Sequence, residues 1–234
     1  MAVQSRKGNH WAFESSAGFV GYLPRDIFNL NTPYGSPDKL KILIEKMHTR
    51  GLLAIADIVI NHRCAFQQSS DGKWNRFGGE SGKATWDPSA ITCSNPEWGG
   101  RGGPKQGDEY PAAPNIDHNQ DFVVRDYTEW LKWLQSDVGF DGWRLDYVRG
   151  VPGNFMRRYI EATEPLMALG EFWDRRGAKA MTESFDKLYG GETKLSDETL
   201  NQLENDVAAF ELTRATEVDE AHGRPPDLAE TEAC

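Results

Sequence analysis

Apolar and polar positions alternate along the chain in blocks that predict helices and strands in turn. Ser36-Pro37 opens a helix, because serine is a favoured N-cap and proline suits the first helical position. Apolar residues then recur at helical spacing up to Gly51, a residue type that often ends a helix. Residues 52–60 follow as an almost continuous apolar run, which is typical of a parallel strand buried on both faces.

The same alternation returns after a long irregular segment. Residues 63–119 are rich in glycine, tryptophan, proline and charge, and we expect them to form a small inserted subdomain rather than one open loop. An amphipathic helix is then predicted up to Gly139. A strand leading to Asp146, a helix over residues 154–163 and a strand leading to Glu171 complete the pattern. This order predicts parallel βα units and an α/β fold.

Composition and charge narrow the classes of partner. The formal net charge of −10 argues against nucleic acid or an anionic membrane surface, and no apolar run is long enough to cross a bilayer. Residues 1–9 are polar with no hydrophobic stretch behind them, so we expect no secretory signal peptide and an intracellular protein, in the cytoplasm or a plastid. Three widely spaced cysteines form no metal-binding pattern, and we expect reduced thiols.

Two carboxylates stand at the ends of successive predicted strands. Asp146 and Glu171 are separated by 171 − 146 = 25 residues, enough for a loop, a helix and the next strand. In a parallel α/β barrel the ends of neighbouring strands lie on one rim, where such folds do their chemistry. Two carboxylates that converge in this way are what cleavage of a glycosidic bond requires.

Further polar residues mark the same strand ends. Asp57 interrupts the first apolar run, His62 follows it, and Arg144 comes two residues before Asp146. Each has a structural explanation of its own, since Asp57 could cap a helix, His62 could be a surface imidazole, and Arg144–Asp146 could be an ion pair. Three polar clusters at three successive strand ends together favour a catalytic site.

Four motifs resemble those of the α-amylase family of glycoside hydrolases, and plant-type members in particular. They are Gly-Tyr-Leu-Pro (21–24), Ala-Pro-Asn-Ile-Asp-His (113–118), Gly-Phe-Asp-Gly-Trp-Arg-Leu-Asp-Tyr-Val-Arg-Gly (139–150) and Gly-Glu-Phe-Trp-Asp (170–174). The resemblance implies an incomplete (β/α)8, TIM-type barrel with an inserted subdomain after the third strand. We therefore divide the chain into a first barrel part (1–62), the insertion (63–119), a second barrel part (120–214) and an acidic tail expected to be disordered (215–234).

The resemblance implies endo-hydrolysis of α-1,4-glucosidic bonds in starch-like glucans, with retention of configuration. Asp146 would be the nucleophile and Glu171 the general acid and base. The cation of Arg144 would favour the ionised carboxylate of Asp146. Glu171 would need a raised pKa, which burial beside Phe172 and Trp173 would supply.

The family pattern also implies groups that hold the sugar and a cofactor. His62 matches a histidine that hydrogen-bonds the sugar, Tyr22 matches a stacking aromatic, and Asp57 would hold Arg144 in place. Calcium would be bound by oxygens, the ligands that it prefers. The matching positions are Asn61, Asn115 and the backbone carbonyl of Gly150, with Asp108 nearby. The tryptophans of the insertion would either stack on glucose or, as we favour, form a small core.

The chain also departs from the family pattern. No Asn-His-Asp sequence, the family's source of a third catalytic carboxylate, occurs after Glu171, and residues 1–16 match no first strand. We therefore expect the isolated chain to be unstable, weakly active or inactive, as a fragment, a splice form or an imperfect gene model would be. Two alternatives stay open: a non-catalytic glucan-binding or regulatory remnant, and a transglycosylase or debranching relative.

Overall fold

The computed structural model describes residues 21–94 and 96–172. The described residues up to Glu171 belong to one compact unit, which is the part considered below. The first twenty residues, Trp173, Asp174, the strand-like run at 207–212 and the acidic tail at 215–234 lie outside the described residues.

Three α-helices and five strands are present in the described part of the chain. In chain order they are α1 (Pro37–His48), β1 (Ile55–Ile58), β2 (Gln67–Gln68), β3 (Trp74–Arg76), α2 (Asp121–Trp133), β4 (Gly142–Leu145), α3 (Gly153–Thr163) and β5 (Met167–Gly170). A wider helical turn at Leu134–Val138 extends α2, and short 3₁₀ turns lie at Pro88–Ala90 and Val148–Gly150.

The first helix begins as the sequence predicts. The side chain of Ser36 accepts a hydrogen bond from the backbone N–H of Lys39, and Pro37 is the first helical residue. Gly51, with φ +71°, lies just past the helix end, where the left-handed conformation suits glycine. The expected helix and its two signals are therefore confirmed.

A parallel three-stranded sheet forms the centre of the unit, in the order β1–β4–β5. Asp57 lies opposite Arg144 in the β1–β4 register, and Leu145 lies opposite Gly170 in the β4–β5 register. Both pairings are parallel, which confirms the predicted βα units. Because strands are joined through helices in this way, their carboxyl ends all point to one edge of the sheet.

The first strand is shorter than the apolar run that predicts it. Regular pairing covers only Ile55–Ile58, although the backbone N–H of Asp146 still bonds to the carbonyl of Ile58. Leu52 and Leu53 precede the strand and are 54% and 49% exposed. The run is therefore buried only from Ala54 onward, and the expectation of burial on both faces is wrong for its first two residues.

Helices α2 and α3 pack against each other and contribute four buried aromatic residues, Tyr127, Trp130, Phe155 and Tyr159. Tyr127 and Trp130 on α2 are fully buried, and the rings of Tyr127 and Tyr159 meet edge to face at 6.2 Å. The indole N–H of Trp143 on β4 donates to Thr163 on α3 over 3.0 Å. These contacts fix β4, and thus the residues at its end, against the helical layer.

The segment 63–119 has little regular structure, and its aromatic residues pack on one another and on α2. β2 and β3 pair antiparallel, and the ring of Trp86 lies 5.8 Å from that of Phe77 and 5.2 Å from Tyr127 on α2. The guanidinium of the buried Arg63 lies 4.5 Å from the centroid of Trp86. Trp86 is therefore a core residue, as expected, while the subdomain boundaries at 63 and 119 stay a prediction.

Two smaller expectations have different outcomes. Cys64 is not disulfide-bonded, but Cys93 is, so the expectation of reduced cysteines is wrong for Cys93. None of the described helices combines the length and the apolar character needed to span a bilayer.

Candidate active site

Polar side chains gather where β1, β4 and β5 end. The backbone N–H of Asp146 bonds to Ile58 over 2.8 Å, and that of Glu171 bonds to Leu145 over 2.9 Å, so both residues continue the parallel pairing. Asp57 sits one strand away from Arg144 in register. The sheet thus brings together four of the residues that the sequence singled out: Asp57, Arg144, Asp146 and Glu171.

Arg144 lies at the centre of this group. Its Nη1 donates to Asp57 Oδ1 over 2.8 Å and to Asp146 Oδ1 over 2.5 Å, and its Nη2 lies 2.8 Å from Glu171 Oε1. One guanidinium therefore contacts three carboxylates from three neighbouring strands. Although burial disfavours the cation, the hydrogen bond and charge of Asp57 hold the pKa of Arg144 above its usual value.

Opposing influences act on the pKa of Asp146. Burial and then the charge of Glu171 raise the pKa of Asp146 to about 7, and they outweigh Arg144, which acts in the opposite direction. Arg144 therefore favours the ionised carboxylate of Asp146, as expected, but its effect is smaller than the combined effect of burial and Glu171.

Glu171 is also held by the turn that follows β4. The backbone N–H of Tyr147 donates to Glu171 Oε2 over 3.2 Å, and Tyr147 adopts a left-handed conformation with φ +51°. A non-glycine residue in this region is strained, and such strain is often found where a site requires a particular backbone direction. The strained turn aims its N–H at the carboxylate. Tyr147 is a site residue that the sequence analysis did not identify.

Tyr22 lies beside the group of carboxylates. Its hydroxyl donates to Asp57 Oδ2 over 2.8 Å, and the Arg144 guanidinium lies 5.9 Å from its ring centroid. Burial and then the hydrogen bond to Asp57 raise the pKa of Tyr22 to about 12, so it stays a hydrogen-bond donor over the working range of pH. Its expected role as a sugar-stacking ring stays a prediction.

His62 is buried behind Tyr22 rather than open to a ligand. Its Nε2 lies 2.8 Å from the carbonyl oxygen of Tyr22, its Nδ1 lies 3.3 Å from Asn61 Nδ2, and the residue is 1% exposed. This pattern fits a neutral ring with the proton on Nε2, and burial lowers its pKa to about 4. Binding of a sugar by His62, as expected from the sequence, would require the Tyr22 carbonyl to give up this bond.

Tyr110 is the second site residue that the sequence analysis missed. Its ring stacks on His62 with centroids 4.0 Å apart and planes inclined by 16°, and it meets Tyr147 edge to face at 5.9 Å. Tyr110 lies in the irregular segment 63–119, where no periodicity indicates which aromatic faces the strand ends. The motif at 113–118 close by was the only available signal.

The residues predicted to bind calcium also lie together. A Cβ added to Gly150 would fall 1.8 Å from Asn61 Oδ1 and 2.7 Å from the backbone oxygen of Asp108, so only glycine fits between these two oxygens. The carboxylate of Asp108 is instead paired with Arg149 over 2.9 Å. At the predicted calcium position, Asp108 therefore presents its backbone carbonyl oxygen and not its carboxylate.

Asn115 lies next to these two oxygens, but its side-chain oxygen accepts hydrogen bonds from other groups. Its Oδ1 accepts hydrogen bonds from Asn61 Nδ2 over 3.1 Å and from the backbone N–H of Tyr110 over 2.8 Å. Within residues 21–94 and 96–172, no three acidic, histidine or cysteine side chains come close enough to bind a metal. The donor set is therefore one of amide and carbonyl oxygens, which fits calcium in kind.

Comparison with known proteins identifies the family. Residues 11–164 match the family model of the α-amylase catalytic domain. The chain is 47% identical over 154 residues to alpha-amylase 3, chloroplastic, and 44% identical over 154 residues to probable alpha-amylase 2, both of Arabidopsis thaliana. The chain belongs to the α-amylase family. The matches cover 66% of this chain but only 17% and 36% of these two relatives.

Solved structures support the fold. An α-amylase from Malbranchea cinnamomea aligns with a TM-score of 0.55 at 22% identity, covering 81% of this chain and 39% of that one. An α-amylase from Geobacillus thermoleovorans, solved in complex with acarbose, aligns with a TM-score of 0.52 at 19% identity. The three parallel strands and their helices thus have the fold of part of an α-amylase.

Proposed function

We propose that this chain carries the catalytic pair of an α-amylase and hydrolyses α-1,4-glucosidic bonds in starch-like glucans with retention of configuration. The contact of one Arg144 guanidinium with Asp57, Asp146 and Glu171 is the observation that carries the proposal. Contact with the same guanidinium keeps the carboxyls of Asp146 and Glu171 close together. Retaining glycosidases hold their two carboxyls about 5–5.5 Å apart.

Asp146 is the proposed nucleophile of the first step. Its carboxylate attacks the anomeric carbon, the bond from that carbon to the leaving oxygen breaks, and Glu171 gives its proton to that oxygen. In the second step Glu171 takes a proton from water, whose oxygen then displaces Asp146 from the sugar. Two inversions at one carbon leave its configuration unchanged.

The proposed reaction requires a protonated Glu171 and an ionised Asp146 when a glucan is bound. Arg144 Nη2 lies against Glu171 Oε1, while Nη1 lies against Asp146 Oδ1. We propose that the glycosidic oxygen of the substrate takes the place of Nη2 on Glu171. Arg144 would then pair with Asp146 and Asp57 only, which favours the charged nucleophile. The backbone N–H of Tyr147 would keep Glu171 in position during this exchange.

Calcium is the proposed structural cofactor, as is general in this family. Asn61 Oδ1, the carbonyl of Asp108 and the backbone of Gly150 would hold it, with Asn115 alongside. The ion would link residues of the segment 63–119 to the turn after β4. Asn61 Nδ2 also contacts His62, so the same residue connects this position to the rim.

Release of reducing sugar from soluble starch by the purified chain tests the proposed activity. We expect slow but measurable release by wild type and none by Asp146→Asn, which keeps the shape of the side chain and removes the nucleophile. If neither wild type nor mutant releases reducing sugar, the proposal is contradicted. Circular dichroism of both proteins checks that each is folded.

A non-catalytic glucan-binding protein is the second candidate. The observation that favours it is that Arg144 occupies both catalytic carboxylates at once. The absence of an Asn-His-Asp sequence after Glu171 points the same way. Retention on a starch column without hydrolysis, and its loss in Tyr22→Ala, would support this function over catalysis.

We propose a plastid as the compartment, with the cytoplasm as the alternative. One of the two Arabidopsis relatives is named as chloroplastic, which supports the first. A fluorescent fusion of the whole gene product, imaged beside a plastid marker, tests it. Signal outside plastids would contradict the proposal.

A further inference from the structure

A groove with a volume of about 400 Å³ lies along the outer face of α2, and we call it the α2 groove. Arg125, Glu129 and Trp133 recur every four residues and therefore line one face of the helix. Opposite them lie Phe28 and the turn around Lys83 to Thr85. None of the residues placed above at the catalytic rim or at the proposed calcium position lines this groove.

An indole surface is available in the α2 groove. The rings of Trp133 and Phe28 are tilted by 48° with centroids 5.3 Å apart, and Lys83 Nζ lies 4.7 Å from the centroid of Phe28. Lys83 thus lies over the ring of Phe28, while Trp133 contributes the larger of the two aromatic rings that line the groove. Within the part of the chain that the structure describes, the indole N–H of Trp133 makes no hydrogen bond.

Some polar side chains around Trp133 are held by hydrogen bonds or ion pairs, and others make no such contact within the described residues. Asp126 Oδ2 accepts from the indole N–H of Trp86 over 2.7 Å, and Asp126 Oδ1 is paired with Arg125 over 2.8 Å, so this carboxylate is held in place. The side chains of Glu129 and Thr85 make no hydrogen bond or ion pair within the described ranges. They remain available to hydroxyl groups of a ligand.

The formal charges of the side chains that line the α2 groove sum to zero. Arg125 and Lys83 contribute two cations, and Asp126 and Glu129 contribute two carboxylates. A neutral set of this kind offers no net attraction to an ion, but it presents both donors and acceptors to an uncharged ligand with many hydroxyls. An aromatic face beside such groups suits the apolar face of a sugar ring, since aromatic residues combine a large apolar area with a polar edge.

We propose that the α2 groove is a second carbohydrate-binding site, in which a glucosyl residue stacks on Trp133 and hydrogen-bonds to Glu129, Thr85 and Arg125. The inference rests on the proposed function only for the identity of the sugar as glucose in an α-glucan. Two attachment points on one chain raise the effective concentration of a polymeric substrate at the catalytic rim. The second site would therefore promote hydrolysis of polysaccharides and not that of short oligosaccharides.

Native gel electrophoresis of the full chain in gels with and without amylopectin tests the proposal. The background is Tyr22→Ala with Asp146→Asn, which removes catalysis and weakens binding at the rim. We expect Trp133→Ala to weaken retardation by amylopectin about tenfold in this background, which corresponds to about 1.4 kcal/mol. Lys132→Ala, an exposed neighbour on α2 outside the groove, is the matched control and should not change retardation.

Folding of Trp133→Ala is checked by circular dichroism. If that variant does not fold, the double variant of the exposed residues Thr85→Ala and Glu129→Ala decides in its place, with an expected loss of about fivefold. Retardation that persists in the groove variants, or a full chain that amylopectin does not retard at all, overturns the proposal. Wild-type protein that shows no hydrolysis can still be retarded by amylopectin in a way that depends on Trp133. That result would support glucan binding in the α2 groove and would contradict only the proposed catalysis.

Discussion

Asp57 and Arg144 lie opposite each other in the parallel register of β1 and β4, and Arg144 Nη1 donates to Asp57 Oδ1 over 2.8 Å. The Asp57 side chain is 10% exposed and that of Arg144 is 27% exposed, so the pair is partly shielded from water. Asp57 also accepts a hydrogen bond from the hydroxyl of Tyr22. A residue at the end of one strand therefore holds both a cation and an aromatic ring of the site.

Replacement of Asp57 by asparagine is expected to reduce both stability and activity. The variant leaves Arg144 without one of its charged partners in a partly buried position, which should lower the free energy of unfolding by about 2 kcal/mol. Urea unfolding measures this change. Glu45→Gln, at an exposed position in the middle of α1, is the control and should stay within about 0.5 kcal/mol of wild type. Equal stability of the two variants would contradict a supporting role for Asp57.

The raised pKa of Asp146 predicts a specific pH dependence of stability. A carboxyl whose pKa is about 7 in the folded state and about 3.9 unfolded stabilises the fold below pH 4, and this contribution is lost as the pH rises through 7. Asp146→Asn removes the titration. Compared with wild type, the variant should gain up to about 4 kcal/mol between pH 4 and pH 8, at about 1.36 kcal/mol per pKa unit, and less to the extent that solvent screens the site. Chemical unfolding of both proteins across this range measures the gain, and parallel curves would contradict the shifted pKa.

Much of the fold could be predicted from the sequence because the signals are local. The Ser36-Pro37 start of α1, the apolar run through β1 and the helical spacing in α2 each follow from a few neighbouring residues. The exposure of Leu52 and Leu53 could not be predicted, because burial depends on which elements cover a strand. The apolar character of a run predicts that it forms a strand, but it does not predict which other elements cover that strand.

The candidate site could be predicted in part for a similar reason. Asp146 and Glu171 follow strands whose pairing places them together, and the spacing along the chain was sufficient to predict this. The raised pKa of Asp146 depends on burial and on the distance to Glu171, and neither is encoded locally. Tyr110 comes from an irregular segment and reaches His62 only through tertiary packing.

Tyr110 is expected to support His62 through its ring and not through its hydroxyl. Tyr110→Ala removes a stack with a centroid distance of 4.0 Å, which should cost about 1 kcal/mol of stability and weaken binding of maltoheptaose. Tyr110→Phe keeps the ring and should behave as wild type. Isothermal titration with maltoheptaose compares the three proteins. If Tyr110→Phe binds as weakly as Tyr110→Ala, the hydroxyl and not the stack is the important group.

Gly150 is expected to be essential for the proposed calcium position. Gly150→Ala would place a methyl group 1.8 Å from Asn61 Oδ1, so Asn61 must move and can no longer present that oxygen. Calcium should raise the melting temperature of wild type compared with a chelator, and Gly150→Ala should lose this increase. Gly103→Ala is the control, because an added Cβ there meets its nearest neighbour at an ordinary 3.5 Å. A calcium-dependent increase that persists in Gly150→Ala would place the ion elsewhere.

Covalent trapping of the proposed nucleophile is the sharpest test of catalysis by Asp146. A fluorinated maltosyl fluoride forms the glycosyl-enzyme of a retaining glycosidase but releases it slowly, so the modified peptide can be identified by mass spectrometry. We expect one maltosyl group attached to Asp146 in wild type and no attachment in Asp146→Asn. A label on another carboxylate, or a folded wild-type protein without any label, would contradict this expectation.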